Sequence, residues 1–191
     1  MDATGKVILI TGATAGLGEA AALGFARQGA RVVVTARDRG RGEHLLCRLQ
    51  ECGPGQEHSV VYGDLSRLAD MRRVGRELAD SLERLDVLAN NAAGWFDRRH
   101  ETEDGLELTF ALNHMAYFVL TGALLDVINA TPGARVVNTA SRAHTGAALD
   151  FDDLQTRRDY SMLTAYRRSK LCNILFTRAL ARRLAPGRTT T

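Results

Sequence analysis

Short apolar runs alternate with stretches of helical spacing along nearly the whole chain. Residues 6–11 (KVILIT), 31–36 (RVVVTA), 58–62, 85–90 (LDVLAN) and 135–139 (RVVNT) each carry branched apolar side chains without polar alternation. That pattern predicts strands buried on both faces. Between them, residues 19–28, 38–51, 66–83 and about 106–129 place apolar side chains every three or four positions, which predicts amphipathic helices. The second helix is stopped by Cys52-Gly53-Pro54-Gly55. A last helix is predicted from about 161 to 184, ending at Pro186-Gly187. A strand followed by a helix, repeated, builds right-handed crossovers and hence a parallel sheet with helices on both faces. No repeat, low-complexity tract or linker interrupts the order, so residues 1–191 are read as a single domain.

The first strand runs directly into Thr11-Gly12-Ala13-Thr14-Ala15-Gly16-Leu17-Gly18 and then into a helix. A glycine-rich turn at that place in an alternating chain predicts a dinucleotide site. Gly12 makes the tight turn, Gly16 lets the backbone approach a pyrophosphate, and Gly18 lets the helix pack close. The fold class is therefore α/β, a Rossmann-type doubly wound parallel sheet. After the second strand no acid stands ready for a ribose 2′-hydroxyl. Arg37 follows at once, with Arg39 and Arg41 nearby, and a guanidinium there suits a 2′-phosphate. NADP(H) is expected in preference to NAD(H).

Composition alters this picture little. Hydrophobic residues make up 45% and charged residues 25% of 191, the balance of an ordinary globular chain. The net charge of +3 is spread among acids, so no nucleic-acid partner is expected. No run is long enough for a membrane anchor, and three irregularly spaced cysteines suggest neither a disulfide frame nor a metal site. A cytoplasmic location with reduced thiols is the expectation.

In the last predicted helix, Tyr166 and Lys170 lie four residues apart and share a face, where an ammonium favours the phenolate. Taken with the turn, this pair gives the chain a clear resemblance to the short-chain dehydrogenases/reductases, and among them to the retinol-dehydrogenase-like branch. Residues 11–18 resemble the family's TGxxxGxG. Asp64-Leu65 resembles the adenine-contacting segment, and Asn90-Asn91-Ala92-Ala93-Gly94 its NNAG segment. Residues 102–114 resemble the branch pattern TxDGxExxFxxNH, residues 136–144 its strand-end serine segment, and residues 166–173 its YxxSKLxN helix.

The resemblance implies a catalytic tetrad of Asn113, Ser141, Tyr166 and Lys170. Tyr166 would exchange a proton with the substrate oxygen and Ser141 would polarise the carbonyl. Lys170 would lower the Tyr166 pKa and hold the nicotinamide ribose, and Asn113 would hold a relay water. It also implies cofactor contacts from Gly12, Thr14, Ala15, Gly16, Leu17, Gly18, Arg37, Asp64, Leu65, Asn91 and Ala92, with Tyr166 and Lys170. The expected reaction interconverts an alcohol and a carbonyl compound, with a hydrophobic small-molecule substrate. Trp95 and Phe96, at the ligand-facing end of the fourth strand, are candidate pocket walls. Family habit implies a homo-oligomer.

Two departures from the family pattern stand out. Ala93 occupies a place where glycine is usual. The chain also stops at residues 188–191, the threshold of a sixth strand, so the C-terminal strands are expected to be missing and activity to be weak at best. The alternative expectation is a catalytically silent nucleotide-binding or interaction protein.

Overall fold

Branched apolar runs become the inner strands of the sheet. The computed structural model describes residues 2–184 together with Thr189 and Thr190. In it, β1 (Val7–Ile10) and β2 (Arg31–Ala36) are buried over nearly their whole length. The other strands are β3 (Ser59–Tyr62), β4 (Val87–Asn90), β5 (Ala134–Asn138) and a two-residue β6 (Thr189–Thr190). All pair in parallel in the order β3-β2-β1-β4-β5-β6, with Ile8 of β1 beside Val32 on one side and Val87 on the other. The sixth strand is thus begun, by pairing of Thr189 and Thr190 with Ala134 and Arg135. The expected Pro186-Gly187 stop lies outside the described residues.

The helices are α1 (Gly16–Arg27), α2 (Arg39–Cys52), α3 (Leu68–Ser81), α4 (Leu108–Phe110), α5 (Ala116–Ala123), α6 (Leu125–Ala130) and α7 (Met162–Arg183). Their boundaries follow capping chemistry. Asp38 accepts the Arg41 N–H at 2.8 Å and so opens α2, one residue after the sequence expectation. The Asp64 carboxylate takes the Ser66 N–H and hydroxyl in a turn, which delays α3 from 66 to Leu68. The helix expected over residues 106–129 is interrupted twice. Glu107 caps its start by accepting from the Thr109 and Phe110 N–H groups. A π-helical turn spans Ala111–Met115, and at Leu124 (φ −100°, ψ 1°) the axis breaks before α6.

Two cores flank the sheet. One joins Leu9, Leu88 and Val136 to Met71 of α3, Tyr117 and Leu120 of α5, and Leu180 of α7. The other joins Ile8, Ile10, Val32 and Val34 to Ala22 and Leu23 of α1 and Leu45 and Leu49 of α2. This second layer does not reach β5, which corrects the expectation of strands buried on both faces. Ala134 and Val136 are buried, but Arg135 is exposed and Val137 is 51% exposed. Among the described residues, no helix is long and apolar enough to cross a membrane.

Candidate active site

Site construction starts at the glycine turn. Thr11 ends the β1 segment, and its hydroxyl accepts the N–H groups of Asn91 (2.9 Å) and Ala92 (3.0 Å). The Asn91 amide in return donates to the carbonyls of Thr11 and Gly12. The turn is thereby riveted to the end of β4, so closely that only glycine fits. A Cβ on Gly12 (φ +65°) would lie 2.6 Å from the Ala92 Cα, and one on Gly18 would lie 2.4 Å from the Gly12 carbonyl oxygen. Around Gly16 (φ +59°) the space is open. Ala15 precedes α1 in extended conformation and offers no side-chain cap, so the first N–H groups of that 12-residue helix face the turn unpaired by side chains. A cradle closed to side chains and open to an anion fits a dinucleotide pyrophosphate.

Gly12, Thr14, Ala15, Arg37, Asp64, Leu65, Asn91 and Ala92 line one groove with a cavity volume of about 470 Å³. All eight are expected cofactor contacts. Gly16, Leu17, Gly18, Tyr166 and Lys170, also expected contacts, are not among its lining residues; the first three form the start of α1, with Leu17 exposed. Phe96, expected as a pocket wall, lines the groove as well. Sequence reasoning did not assign Thr35, Ala36 or Leu112 to the groove, although all three line it. Their only signal was position at strand ends and on the helix carrying Asn113. Arg37 is 78% exposed, with a guanidinium nitrogen 4.0 Å from Asp64. Asp38 is spent on capping α2, and Arg39 lies over the Tyr62 ring at 5.0 Å. Arg37 and Arg41 both line the groove, Arg37 within 4.0 Å of Asp64. Ala93, exposed in the same groove, is not among the residues with positive φ, so its methyl group carries no backbone strain.

The tetrad candidates come from three segments. Asn113 is buried in the π-helical turn. Its Oδ1 accepts the Gly94 N–H at 2.8 Å, and its Nδ2 donates to the Gly94 carbonyl at 2.8 Å and the Ser169 hydroxyl at 3.2 Å. The Asn113 carbonyl accepts from Asn173 of α7 at 2.9 Å. The irregular turn thus exchanges regular helix bonds for a dock between the β4 loop and α7, a frequent use of π turns at functional sites. Ser141 caps the short turn Arg142–His144, its hydroxyl oxygen accepting the Ala143 N–H at 3.2 Å. Two α7 side chains bracket that segment. Lys170 donates to the Thr139 carbonyl at 2.9 Å and Arg167 to the Ala143 carbonyl at 3.1 Å.

Lys170 is only 1% exposed, and its ammonium lies 5.7 Å from the ring centres of both Tyr166 and Tyr117. Burial pushes its pKa down to about 8. Tyr117, from α5, is wholly buried, its hydroxyl lacks a hydrogen-bond partner among the described residues, and burial drives its pKa upward. Sequence reasoning missed Tyr117, since nothing local marks it as the neighbour of a residue on another helix. It also missed the amide network behind the site, in which Asn90 donates to Asn138, Asn138 to Thr177, and Thr177 to the Asn173 carbonyl. Tyr166 is partly exposed and packs against Trp95, ring centres 5.3 Å apart.

A parallel α/β sheet with a glycine cradle after its first strand, and a tyrosine and a lysine four residues apart on its last helix, is a Rossmann-like architecture. The chain belongs to the short chain dehydrogenase family, whose model matches residues 6–190. It is 41% identical to retinol dehydrogenase 14 of Mus musculus over 94% of this chain and 57% of that protein. Among solved structures, an uncharacterised protein from Mycobacterium paratuberculosis is 37% identical with a TM-score of 0.82, covering 95% of this chain and 63% of that one. The RhlG/NADP complex of Pseudomonas aeruginosa is 28% identical with a TM-score of 0.79, covering 98% and 70%. The chain therefore spans under two thirds of the length of the first two of these relatives.

Proposed function

We propose that the chain is an NADP(H)-dependent oxidoreductase that interconverts an alcohol and an aldehyde or ketone, with a hydrophobic substrate. The observation that carries this reading is Lys170, sealed from solvent beside Tyr166 with no carboxylate among the described residues to neutralise it. A buried ammonium is costly, and the fold sustains that cost at the spot where it can stabilise a phenolate.

The start of α1 would hold the cofactor pyrophosphate, Arg37 the 2′-phosphate, Asp64 and Leu65 the adenosine end, and Asn91 and Ala92 the stretch toward the nicotinamide. When bound, the cofactor supplies or accepts the hydride. Tyr166 would give its phenolic proton to the substrate oxygen in reduction and recover it in oxidation. The Ser141 oxygen already accepts from Ala143, which leaves its own O–H free to polarise the carbonyl. Lys170 would favour the phenolate and hold the ribose hydroxyls. Asn113 has both amide protons committed to Gly94 and Ser169, so it acts chiefly by positioning. A relay water could meet only the remaining lone pairs of its oxygens.

The NADP complex of the Pseudomonas aeruginosa structure supports the choice of cofactor, and the retinol dehydrogenase relatives support an apolar substrate. The test is a fluorescence titration of the chain with NADPH and separately NADH, followed by a Tyr166→Phe variant. Tighter NADPH binding, and a variant that keeps cofactor but loses turnover, is the expected result. Absence of saturable binding by the folded chain would overturn it.

A further inference from the structure

Trp95 is the chain's single tryptophan and one of its most exposed large apolar side chains, at 57%. Folding alone gives no reason to leave an indole in water, since burying its exposed part would remove on the order of 100 Å² of largely apolar surface. Nor does the residue sit on a loose loop. The preceding residue, Gly94, is clamped at both its N–H and its carbonyl by Asn113. The following residue, Phe96, has its carbonyl held by the Tyr160 hydroxyl at 2.7 Å. Between these two anchors the indole leans on Tyr166, ring centres 5.3 Å apart and planes tilted by 59°. The result is a fixed, solvent-facing π surface beside the phenol.

Resting on the oxidoreductase reading above, we propose that Trp95 is a specificity-determining residue that selects carbonyl compounds and alcohols carrying a flat aromatic ring at the reacting carbon. A substrate oxygen within hydrogen-bond reach of the Tyr166 hydroxyl places its carbon a few ångströms from the phenol ring. The indole stands against that ring, so one of the carbon's substituents runs along it. Offset and tilted aromatic pairs are favoured beyond simple burial of area, by an amount equal to about two- to tenfold in affinity. A saturated ring of the same size gains only the area.

The experiment compares 2-naphthalenemethanol with its fully saturated decahydro counterpart as ligands of the NADPH complex, where no hydride acceptor is present and no turnover occurs. Calorimetry is expected to show the naphthyl alcohol binding about two- to tenfold tighter. That preference persists in Trp95→Phe and falls to about one in Trp95→Leu, which keeps an apolar side chain without the ring. An equal affinity for the two alcohols in the unaltered protein, or an unchanged preference in Trp95→Leu, overturns the proposal alone. Nicotinamide fluorescence is read on every variant. Failure of the unaltered chain to form the NADPH complex would sink the oxidoreductase reading and this proposal with it.

Discussion

The side-chain amide of Asn113 closes a ring of two hydrogen bonds, each 2.8 Å, on the backbone of Gly94. One side chain thus satisfies both polar groups of a residue that has no strand partner, and it fixes the loop that carries Ala93, Trp95 and Phe96. Asn113→Asp keeps the shape and the acceptor but loses both donated bonds, to Gly94 and to Ser169. The expected loss is about 2–3 kcal/mol in chemical denaturation. A fall in turnover larger than the fall in NADPH affinity should accompany it, because the loop stands beside Tyr166. Unchanged stability would show that the clamp is replaceable by solvent.

Lys170 makes a second prediction, on pH. Its pKa is about 8 in the folded chain and ordinarily near 10.5. Between those values the unfolded chain binds more protons, so stability rises with pH. The gain from this group across pH 8 to 10.5 is on the order of 2–3 kcal/mol. Lys170→Met should remove that slope and be favoured most at neutral pH, while hydride transfer is lost. Parallel stability–pH curves for the two proteins would contradict the burial argument.

Legibility of the sequence depended on how local each determinant was. The limits of β2, Arg31–Ala36, were readable because an apolar run ends abruptly at Arg37. The Tyr166/Lys170 face was readable because four-residue spacing is a property of one helix. The π turn at Asn113 was not, since Ala-Leu-Asn-His-Met carries no local mark of irregularity and the turn exists to meet Gly94 and Asn173. Tyr117 reads as an ordinary core residue until α7 lays Lys170 against it. The bare face of β5 was hidden for the same reason. RVVNT is the run of a doubly covered strand, and exposure of Val137 depends on which helices reach over it.

Two glycines of α1 should respond in opposite ways to alanine. A Cβ at Gly18 would lie 2.4 Å from the Gly12 carbonyl oxygen and 2.6 Å from the Asn91 amide, so the turn must move. Gly18→Ala is expected to cost about 1–3 kcal/mol and to weaken NADPH binding at least tenfold. Gly24, on the same helix, meets nothing within 4 Å. Gly24→Ala is expected to add about 0.5–1 kcal/mol of stability and leave cofactor binding unchanged. Comparable NADPH dissociation constants for the two variants would remove the turn from the cofactor site.

His58 sets the acid side of stability. It is buried between β2 and the end of α2, where its Nδ1 accepts the Val32 N–H at 3.0 Å and its Nε2 faces the Gly53 carbonyl at 3.1 Å. That arrangement needs the neutral ring protonated on Nε2, and burial holds the imidazole below its ordinary range of about 6.5. With the folded value depressed, the contribution of His58 is complete above the unfolded value and is lost as pH falls through the folded one. Thermal melts should therefore decline from about pH 6.5 downward. Asp86 loses its bonds to Val7, Lys6 and Arg84 only later, because those partners outweigh its burial and keep its carboxyl below the usual range. His58→Gln should flatten the first decline, cost about 1–3 kcal/mol at pH 8, and leave the second untouched. An unaltered decline near pH 6 in that variant would assign the effect to His114, whose pKa burial also lowers.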